Sequence, residues 1–245
     1  QLFPPRLQPG WDHGYHAYDI YNLTVEDAQF FNTTRPYTHL SYMLGTRSEQ
    51  FIRLQHTQNI RPNWNMAMEY RLINSPGFFQ NQNTNHNNYR FTSWYQSKNK
   101  RYQNFIAIAG NKLQSGENGG IRNDVNYLDS AGAFDERFNI PTQLGPDNRG
   151  SFNPFNVSIA TGSFFTNATY LMRQQYDLGQ KDSIVTDTTV IPLFYPRLRL
   201  EHTLSYSTYK YRFIDNTADS TYYADKYAIT LGRPVDSFFI QDRWR

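Results

Sequence analysis

Three side chains near the start of the sequence are of types that bind metals. Asp12, His13 and His16 lie within the run WDHGYH. Zinc sites on helices pair histidines at i and i+4, and many structural zinc sites also use cysteine. The two histidines here are three residues apart, and the chain has no cysteine. We therefore expect a polar N-terminal segment here, without a metal site or a cofactor.

Serine and histidine side chains could form a hydrolytic pair if neighbouring strands bring them together. The candidates are His56 or His202 with Ser41 or Ser205. The sequence lacks the G-x-S-x-G elbow that exposes a nucleophilic serine in many hydrolases. The NGG run at Asn118–Gly120 lacks the lysine and following helix of a phosphate-binding loop. We therefore expect no enzymatic activity. The alternative is a hydrolytic enzyme with one of these pairs in its strands.

Arginine and glutamate recur at alternate positions in several segments. Residues two apart share a face of a strand, so these charges line one face. Rings of charge around a water-filled pore select permeating ions, and the excess of arginine would mildly favour anions. The alternative is a salt-bridged interior that stabilises strand packing. The predicted lumen-facing residues are Arg53, Glu69, Arg71, Arg90, Arg173, Arg197, Arg199 and Glu201.

The elements that would position these charges are β-strands. In NWNMAMEYRL, apolar residues from Trp64 to Leu72 alternate with polar ones, which is the period of a strand. Similar alternation predicts strands at about 38–45, 50–58, 64–73, 88–97, 101–112, 163–176 and 196–212. Trp94 is an exception, because it falls on a polar face. Residues 24–32 (TVEDAQFFN) are predicted to form one or two helical turns, with Thr24 as the cap.

The apolar face of these strands is rich in tyrosine, tryptophan and methionine. Sandwich cores favour branched aliphatic residues, whereas tyrosine and tryptophan suit a lipid–water interface. The alternation therefore predicts an all-β fold, an antiparallel transmembrane β-barrel, with a soluble β-sandwich as the alternative. The predicted lipid-facing residues are Trp64, Met66, Met68, Tyr70, Tyr89, Tyr95, Tyr170, Met172 and Tyr206.

The segments between the strands alternate in length. NIRPN and SKNK predict tight turns, whereas residues 74–87 and 114–155 predict long polar loops. An outer-membrane barrel has short turns at one end and long loops at the other. Two connections depart from this alternation. The one at 46–49 is short where a long loop is expected, and the one predicted at 177–192 is long where a turn is expected. The net charge of +3 is dispersed, so we expect no nucleic-acid partner.

Several long motifs resemble one known family. They are FFNTTRPYTHLSYMLGTRSEQ, LQHTQNIRPNWNMAMEYRLINSPGFFQNQNTNHNNY, YQSKNKRY, NKLQSGENGGI, YDLG and RLRLEHTLSY. The chain resembles the putative porin family of Bacteroidota outer membranes from about Gly10 to Arg245, most weakly across 124–155 and after Tyr211. The resemblance implies a signal-peptide-dependent outer-membrane barrel without a cofactor. Family members are longer, and bacterial barrels have an even number of strands, at least eight.

We therefore expect a polar segment at residues 1–36 that lines or plugs the lumen mouth. Residues 37–245 would then supply about seven or eight strands, the N-terminal part of a larger barrel. The expected function is passive diffusion of small hydrophilic solutes across the cell outer membrane, with outer-membrane lipids around the barrel. One alternative is a non-conducting barrel that scaffolds a complex of other outer-membrane proteins, and another is an outer-membrane barrel enzyme.

Overall fold

The computed structural model describes residues 16–128, 139–146, 153, 157–186, 189–229 and 238–244. A short helix, α1 (Ser220–Tyr227), lies between the last two strands, and single 3₁₀ turns occur at Asp19–Tyr21 and Thr46–Ser48. The strands are β1 (Tyr37–Leu44), β2 (Gln50–Arg61), β3 (Trp64–Ser75), β4 (Thr84–Gln96), β5 (Tyr102–Gly116), β6 (Thr161–Thr186), β7 (Thr189–Asp215) and β8 (Phe238–Trp244).

The eight strands form one antiparallel sheet in which every strand pairs with its neighbours in sequence. The sheet is open, since β1 and β8 each have a single neighbour among the described strands. The predicted all-β antiparallel fold is confirmed, and the sheet is consistent with part of a porin-like barrel. No helix in the described ranges is long and apolar enough to cross a bilayer.

The connections at the two ends of the sheet differ in length. Residues 45–49, 76–83, 117–160 and 216–237 connect strands at one end, which we call the long-loop end. Residues 62–63, 97–101 and 187–188 connect them at the other, which we call the turn end. Apart from residues 45–49, which are as few as residues 97–101, the asymmetry is the one seen in outer-membrane barrels, whose extracellular loops are long and whose periplasmic turns are short.

Two predicted boundaries are wrong. Residues 84–87, expected in a loop, are the first residues of β4 and pair with β3 and β5. The long connection expected at 177–192 does not exist, because β6 and β7 remain paired as far as Thr186 and Thr189. The last pair between β5 and β6 is Tyr102 with Tyr176, so residues 177–186 and 189–199 form a hairpin extension beyond β5. At about 3.3 Å per residue it projects by roughly 30 Å.

Alternation gives the sheet two chemically different faces. The aromatic face carries Met68, Tyr70, Tyr89 and Tyr170, and the polar face carries Glu69, Arg90, Asn111 and Asn167. The register keeps the faces separate, because each residue stands opposite one of the same face on the next strand. Large apolar side chains on the aromatic face, such as Leu40, Tyr42, Leu200 and Leu204, are exposed. The described strands form no second sheet against which this face could pack.

A glycine on the aromatic face makes room for a tyrosine. Gly110 of β5 stands opposite Tyr89 of β4, and a Cβ atom at Gly110 would lie 2.3 Å from the Tyr89 ring. The ring therefore covers the glycine backbone, a cross-strand arrangement that stabilises glycine within a sheet. Any larger residue at position 110 would displace the Tyr89 ring.

The segment before β1 crosses the polar face. We call residues 16–33 the N-terminal strap. Of the one or two helical turns predicted at 24–32, the strap forms a single turn, closed by the Ala28 N–H donating to the Val25 carbonyl, and no helix follows it. The Thr24 hydroxyl donates to the Asp27 carboxylate and accepts from the Asp27 N–H, so Thr24 does cap this turn. Apart from this turn and the 3₁₀ turn at Asp19–Tyr21, the strap has no regular secondary structure, and its contacts with the sheet hold it in place.

Candidate functional site: the polar face of the sheet

The charged residues singled out from the sequence fall into two groups on the polar face. Arg53, Glu69, Arg71 and Arg90 lie on β2–β4, beneath or beside the strap. Arg173, Arg199 and Glu201 lie on β6 and β7, away from the strap. Arg197 is at a bulge between β6 and β7, and it donates to the Gln180 side chain. Whether these residues line a pore stays a prediction.

Glu69 is the centre of the first group. Its two carboxylate oxygens accept from Arg53 Nε at 2.8 Å and from Arg90 Nη2 at 2.6 Å. The Glu69 and Arg90 side chains are only 6% and 8% exposed. Arg90 also donates to the Thr24 carbonyl of the strap. Both charges are thus paired and shielded from water, as a buried carboxylate and guanidinium must be.

The second group is open to solvent. Arg173 and Glu201 form an ion pair of 2.7 Å, with side chains 53% and 39% exposed. Arg199 forms a bidentate pair with Asp177, at 2.7 Å and 3.1 Å. Arg173, Arg199 and Glu201 are thus exposed beside β6 and β7, whereas Asp177, the partner of Arg199, is buried.

Polar side chains of four strands hydrogen-bond to the main chain of the strap. Asn111 does so twice, since its amide accepts from the Leu23 N–H and donates to the Leu23 carbonyl. The other donors and their acceptor carbonyls are Arg71 and Asn88 to Tyr21, Arg90 to Thr24, Thr92 to Gln29 and Trp94 to Phe31. Asn59 of β2 accepts from the Thr33 N–H and so extends the contact to the last residue of the strap.

Apolar contacts fix the strap at two further places. Val25 packs with Ala107 and Ala109 of β5 and with Leu171 of β6. Tyr18 packs with Leu113 and Phe165, and its ring meets His86 edge-on at 5.6 Å. His86 is 2% exposed and lies in the asparagine-rich stretch that the sequence suggested was a loop. Only Trp94, an aromatic residue on a polar face, indicated in the sequence that something covers this face.

The residues predicted to face lipid lie on the aromatic face. Met68, Tyr89, Tyr95, Tyr170 and Tyr206 are exposed. Trp64, Met66, Tyr70 and Met172 are half-buried among their neighbours. Tyr170 and Tyr206 are paired across β6 and β7, with ring centroids 6.2 Å apart. Trp64 donates to the Ser93 hydroxyl and Tyr70 to the Asn87 amide oxygen, so both polar tips have partners within the face.

A second buried polar cluster lies at the long-loop end, around the carboxylate of Asp215. Asp215 is fully buried and accepts hydrogen bonds from the hydroxyls of Tyr223 and Thr161, each at 2.8 Å. Burial and this hydrogen bond raise the pKa of Tyr223 well above its ordinary value. Burial also raises the pKa of Tyr222 to about 12. The cluster ties α1 to the ends of β6 and β7.

The remaining candidates are not brought together. Asp12 and His13 lie outside the described residues, and His16 hydrogen-bonds to Asp19 at 2.9 Å. Within the described ranges, no three histidine and carboxylate side chains gather as a metal site would require. Alternation places His56 and His202 on the aromatic face, whereas Ser41 and Ser205 are on the polar face. The sheet therefore separates each histidine from the serine proposed for it.

Comparison with known proteins identifies the family of this two-faced sheet. A family model described as "Putative porin" matches residues 2–242, nearly the whole chain. No curated protein and no solved structure is significantly similar to this chain. The family supports a porin-like role and an outer-membrane location. The match covers the strap, β1 to β7 and all but the last two residues of β8, and by this match the chain belongs to the putative porin family.

Proposed function

We propose that this chain forms part of the wall of an outer-membrane porin through which small hydrophilic solutes diffuse passively. One observation carries the proposal: large apolar side chains are exposed on the aromatic face from β1 to β7, including Leu40, Met68, Tyr170 and Leu204. A water-soluble sheet would bury such a surface. A bilayer covers it, and closing the sheet into a barrel would pair the backbone groups at its edges.

The proposed mechanism is selection by width and charge without chemistry. On the polar face of β6 and β7, the exposed arginines Arg173, Arg197 and Arg199 outnumber the exposed carboxylate of Glu201, and the Asp177 carboxylate is buried against Arg199. Fixed charges at the surface of a narrow aqueous path attract counter-ions and repel co-ions. We therefore propose weak anion preference along β6 and β7. The driving force is the solute gradient. The cell is proposed to be a Gram-negative bacterium of the Bacteroidota, which the motifs of the sequence favour.

The test is conductance of the purified full-length protein in planar lipid bilayers. We expect stepwise current increases and a reversal potential of the sign for anion preference in a potassium chloride gradient. Heat-modifiable gel mobility would verify that the protein tested is a folded barrel. A folded barrel that carries no current, even with the strap displaced as described below, would overturn the porin proposal.

A second candidate is a non-conducting barrel that scaffolds other outer-membrane proteins. The observation that favours it is the hairpin extension, which exposes Val185, Tyr195 and Leu198 beyond the neighbouring strands. A silent barrel that co-purifies with defined outer-membrane partners, and loses them when residues 180–195 are replaced by a tight turn, would support the scaffold instead.

A further inference from the structure

The polar face recognises the strap through its main chain. Six side chains on β3, β4 and β5 donate to strap carbonyls: Arg71, Asn88, Arg90, Thr92, Trp94 and Asn111. The strap belongs to no strand, so its partly buried carbonyl groups need such donors. Much of the polarity of this face is thus explained by partners for a peptide backbone rather than by contact with water.

The contacts follow β4 from the long-loop end towards the turn end. Asn88, Arg90, Thr92 and Trp94 bind the carbonyls of successively later strap residues, from Tyr21 to Phe31. At about 3.4 Å per residue, positions 88–94 cover roughly 20 Å. β1 then begins beside the turn end, where Tyr37 pairs with Thr57 of β2. The strap therefore crosses most of the height of the sheet on its polar side.

Two apolar side chains give this polar interface a preferred position. Leu23 and Val25 are buried, and Val25 packs on Ala107 and Ala109. Both alanines are 1% exposed, and their small size lets the strap backbone approach β5. Main-chain hydrogen bonds provide contact along the strap, whereas these apolar contacts fix which strap residue faces which strand.

We propose that the polar face of β3–β5 is a binding site for a polypeptide segment that belongs to no strand, occupied by this chain's own residues 16–33 as a resident plug. The proposal rests on the porin function proposed above. Solutes then pass along the open surface beside β6 and β7. The plug closes the half of the lumen that contains Glu69 and Arg90. Displacing it would widen the pore without altering the barrel wall.

Thiol accessibility tests the occupancy independently of any current. The sequence has no cysteine, so an introduced thiol is unique. Ala109→Cys places a thiol on β5 beneath the strap, and Ser205→Cys places one on the exposed polar side of β7. With a small cationic methanethiosulfonate reagent, we expect Ser205→Cys to react more than an order of magnitude faster. Equal rates would overturn the proposal.

Displacement of the strap tests the plug. Val25→Asp puts an unpaired carboxylate against Ala107 and Ala109, which is unfavourable in a buried apolar contact. Glu26→Gln is the matched control, since Glu26 is exposed on the same segment. We expect Val25→Asp to expose the Ala109→Cys thiol and to raise single-channel conductance severalfold, with Glu26→Gln unchanged. Heat-modifiable gel mobility shows whether each variant is folded. Leu23→Ser is a milder second variant, for use if Val25→Asp does not fold.

Addition of the strap in trans completes the test. A synthetic peptide of residues 16–33 added to the Val25→Asp protein should restore low conductance, and the same peptide with aspartate at position 25 should not. Unchanged conductance in a variant whose Ala109→Cys thiol has become reactive would overturn the plug. A protein that never conducts, yet shows the expected pattern of thiol protection, would overturn the porin function and leave the peptide-binding site standing.

Discussion

At the scale of the residue, two glutamates of the polar face meet arginine in different surroundings. Glu69 is buried between Arg53 and Arg90, whereas Glu201 pairs with an exposed Arg173. Removing one partner of a buried pair leaves an uncompensated charge, but an exposed pair contributes little because water already solvates both groups. The same ion-pair chemistry therefore has different consequences for stability at the two positions.

The corresponding prediction concerns stability. We expect Glu69→Gln to lower the free energy of unfolding by about 3–5 kcal/mol, because Arg90 stays buried without its charged partner. The control Glu201→Gln should lower it by about 0–1 kcal/mol. Denaturant unfolding of the detergent-solubilised proteins measures both. Equal losses would show that Glu69 and Arg90 are solvated and that the strap does not cover them.

A second prediction concerns ion selectivity. Arg173→Glu reverses an exposed charge beside β6 and β7, so the reversal potential should shift towards cation preference. Arg71→Glu was an equal candidate from sequence alone, but Arg71 donates to the strap backbone and should affect strap position more than selectivity. Arg47→Glu, in the β1–β2 connection, is the control. An unchanged reversal potential for Arg173→Glu would place the solute path elsewhere.

A third prediction concerns pH and the Asp215 cluster. The raised pKa of Tyr223 means that folding favours its neutral form. The stabilisation is complete below the unfolded pKa of about 10 and is lost as pH rises through the folded pKa. Tyr223→Phe leaves one Asp215 oxygen without its donor, costing about 1–3 kcal/mol. Denaturant unfolding at pH 8 and at pH 11 should therefore show a larger alkaline loss of stability in the parent protein than in Tyr223→Phe, and equal losses would contradict the prediction.

At the scale of the element, alternation in the sequence was enough to predict seven strands and the separation of their faces. The alternation did not predict a strand where residues of low strand propensity are held in the sheet by their neighbours. Asn85, His86 and Asn87 are poor strand formers, yet they continue β4 because β3 and β5 offer backbone partners on both sides. Burial of His86 against Tyr18 depends on a segment far away in sequence, which local pattern cannot reveal.

The sequence predicted a polar N-terminal segment that lines or plugs the lumen, but it did not predict the path of the strap across the polar face or its contacts there. The sequence of the strap has no strand or helix periodicity, because hydrogen bonds to Asn88, Arg90 and Asn111 determine its conformation. Sequence reasoning therefore favoured a short helix there. The polar face was predicted correctly as a pattern, but an extended peptide bound to a sheet and a water-filled lumen require similar side chains.

A prediction at this scale concerns the hairpin extension. Residues 180–195 pair with each other beyond β5, with Arg101 over the Phe194 ring as one contact to the β4–β5 turn. Replacing these residues by a two-residue turn should change the free energy of unfolding by less than about 1 kcal/mol, since surface changes away from the core have small effects. Gel mobility and denaturant unfolding measure it. Loss of the folded band would show that the extension supports the sheet.

At the scale of the whole molecule, the sheet separates an aromatic face, which we propose contacts lipid, from a polar face, which we propose contacts water and the strap. Two tryptophans report on this separation. Trp64 lies on the aromatic face, and Trp94 lies on the polar face, where it donates to the Phe31 carbonyl. The sidedness of the entire sheet can thus be measured with one type of fluorophore.

The prediction uses two single-tryptophan proteins in vesicles that contain brominated phospholipid. With the other tryptophans replaced by phenylalanine, Trp64 should be quenched strongly because bromine atoms reach the aromatic face. Trp94 should be quenched weakly, since both the sheet and the strap separate it from acyl chains. Similar quenching of the two would contradict the assignment of the faces and, with it, the proposed membrane location.

The path of the strap also has a consequence for biogenesis. The ribosome makes the strap before the eight described strands, but Leu23 must wait for Asn111, 88 residues later, and Tyr18 for Ser163, 145 residues later. Contacts so distant in sequence form late, because closing long loops costs entropy. The strap, which precedes the described strands in sequence, is thus among the last segments to be placed.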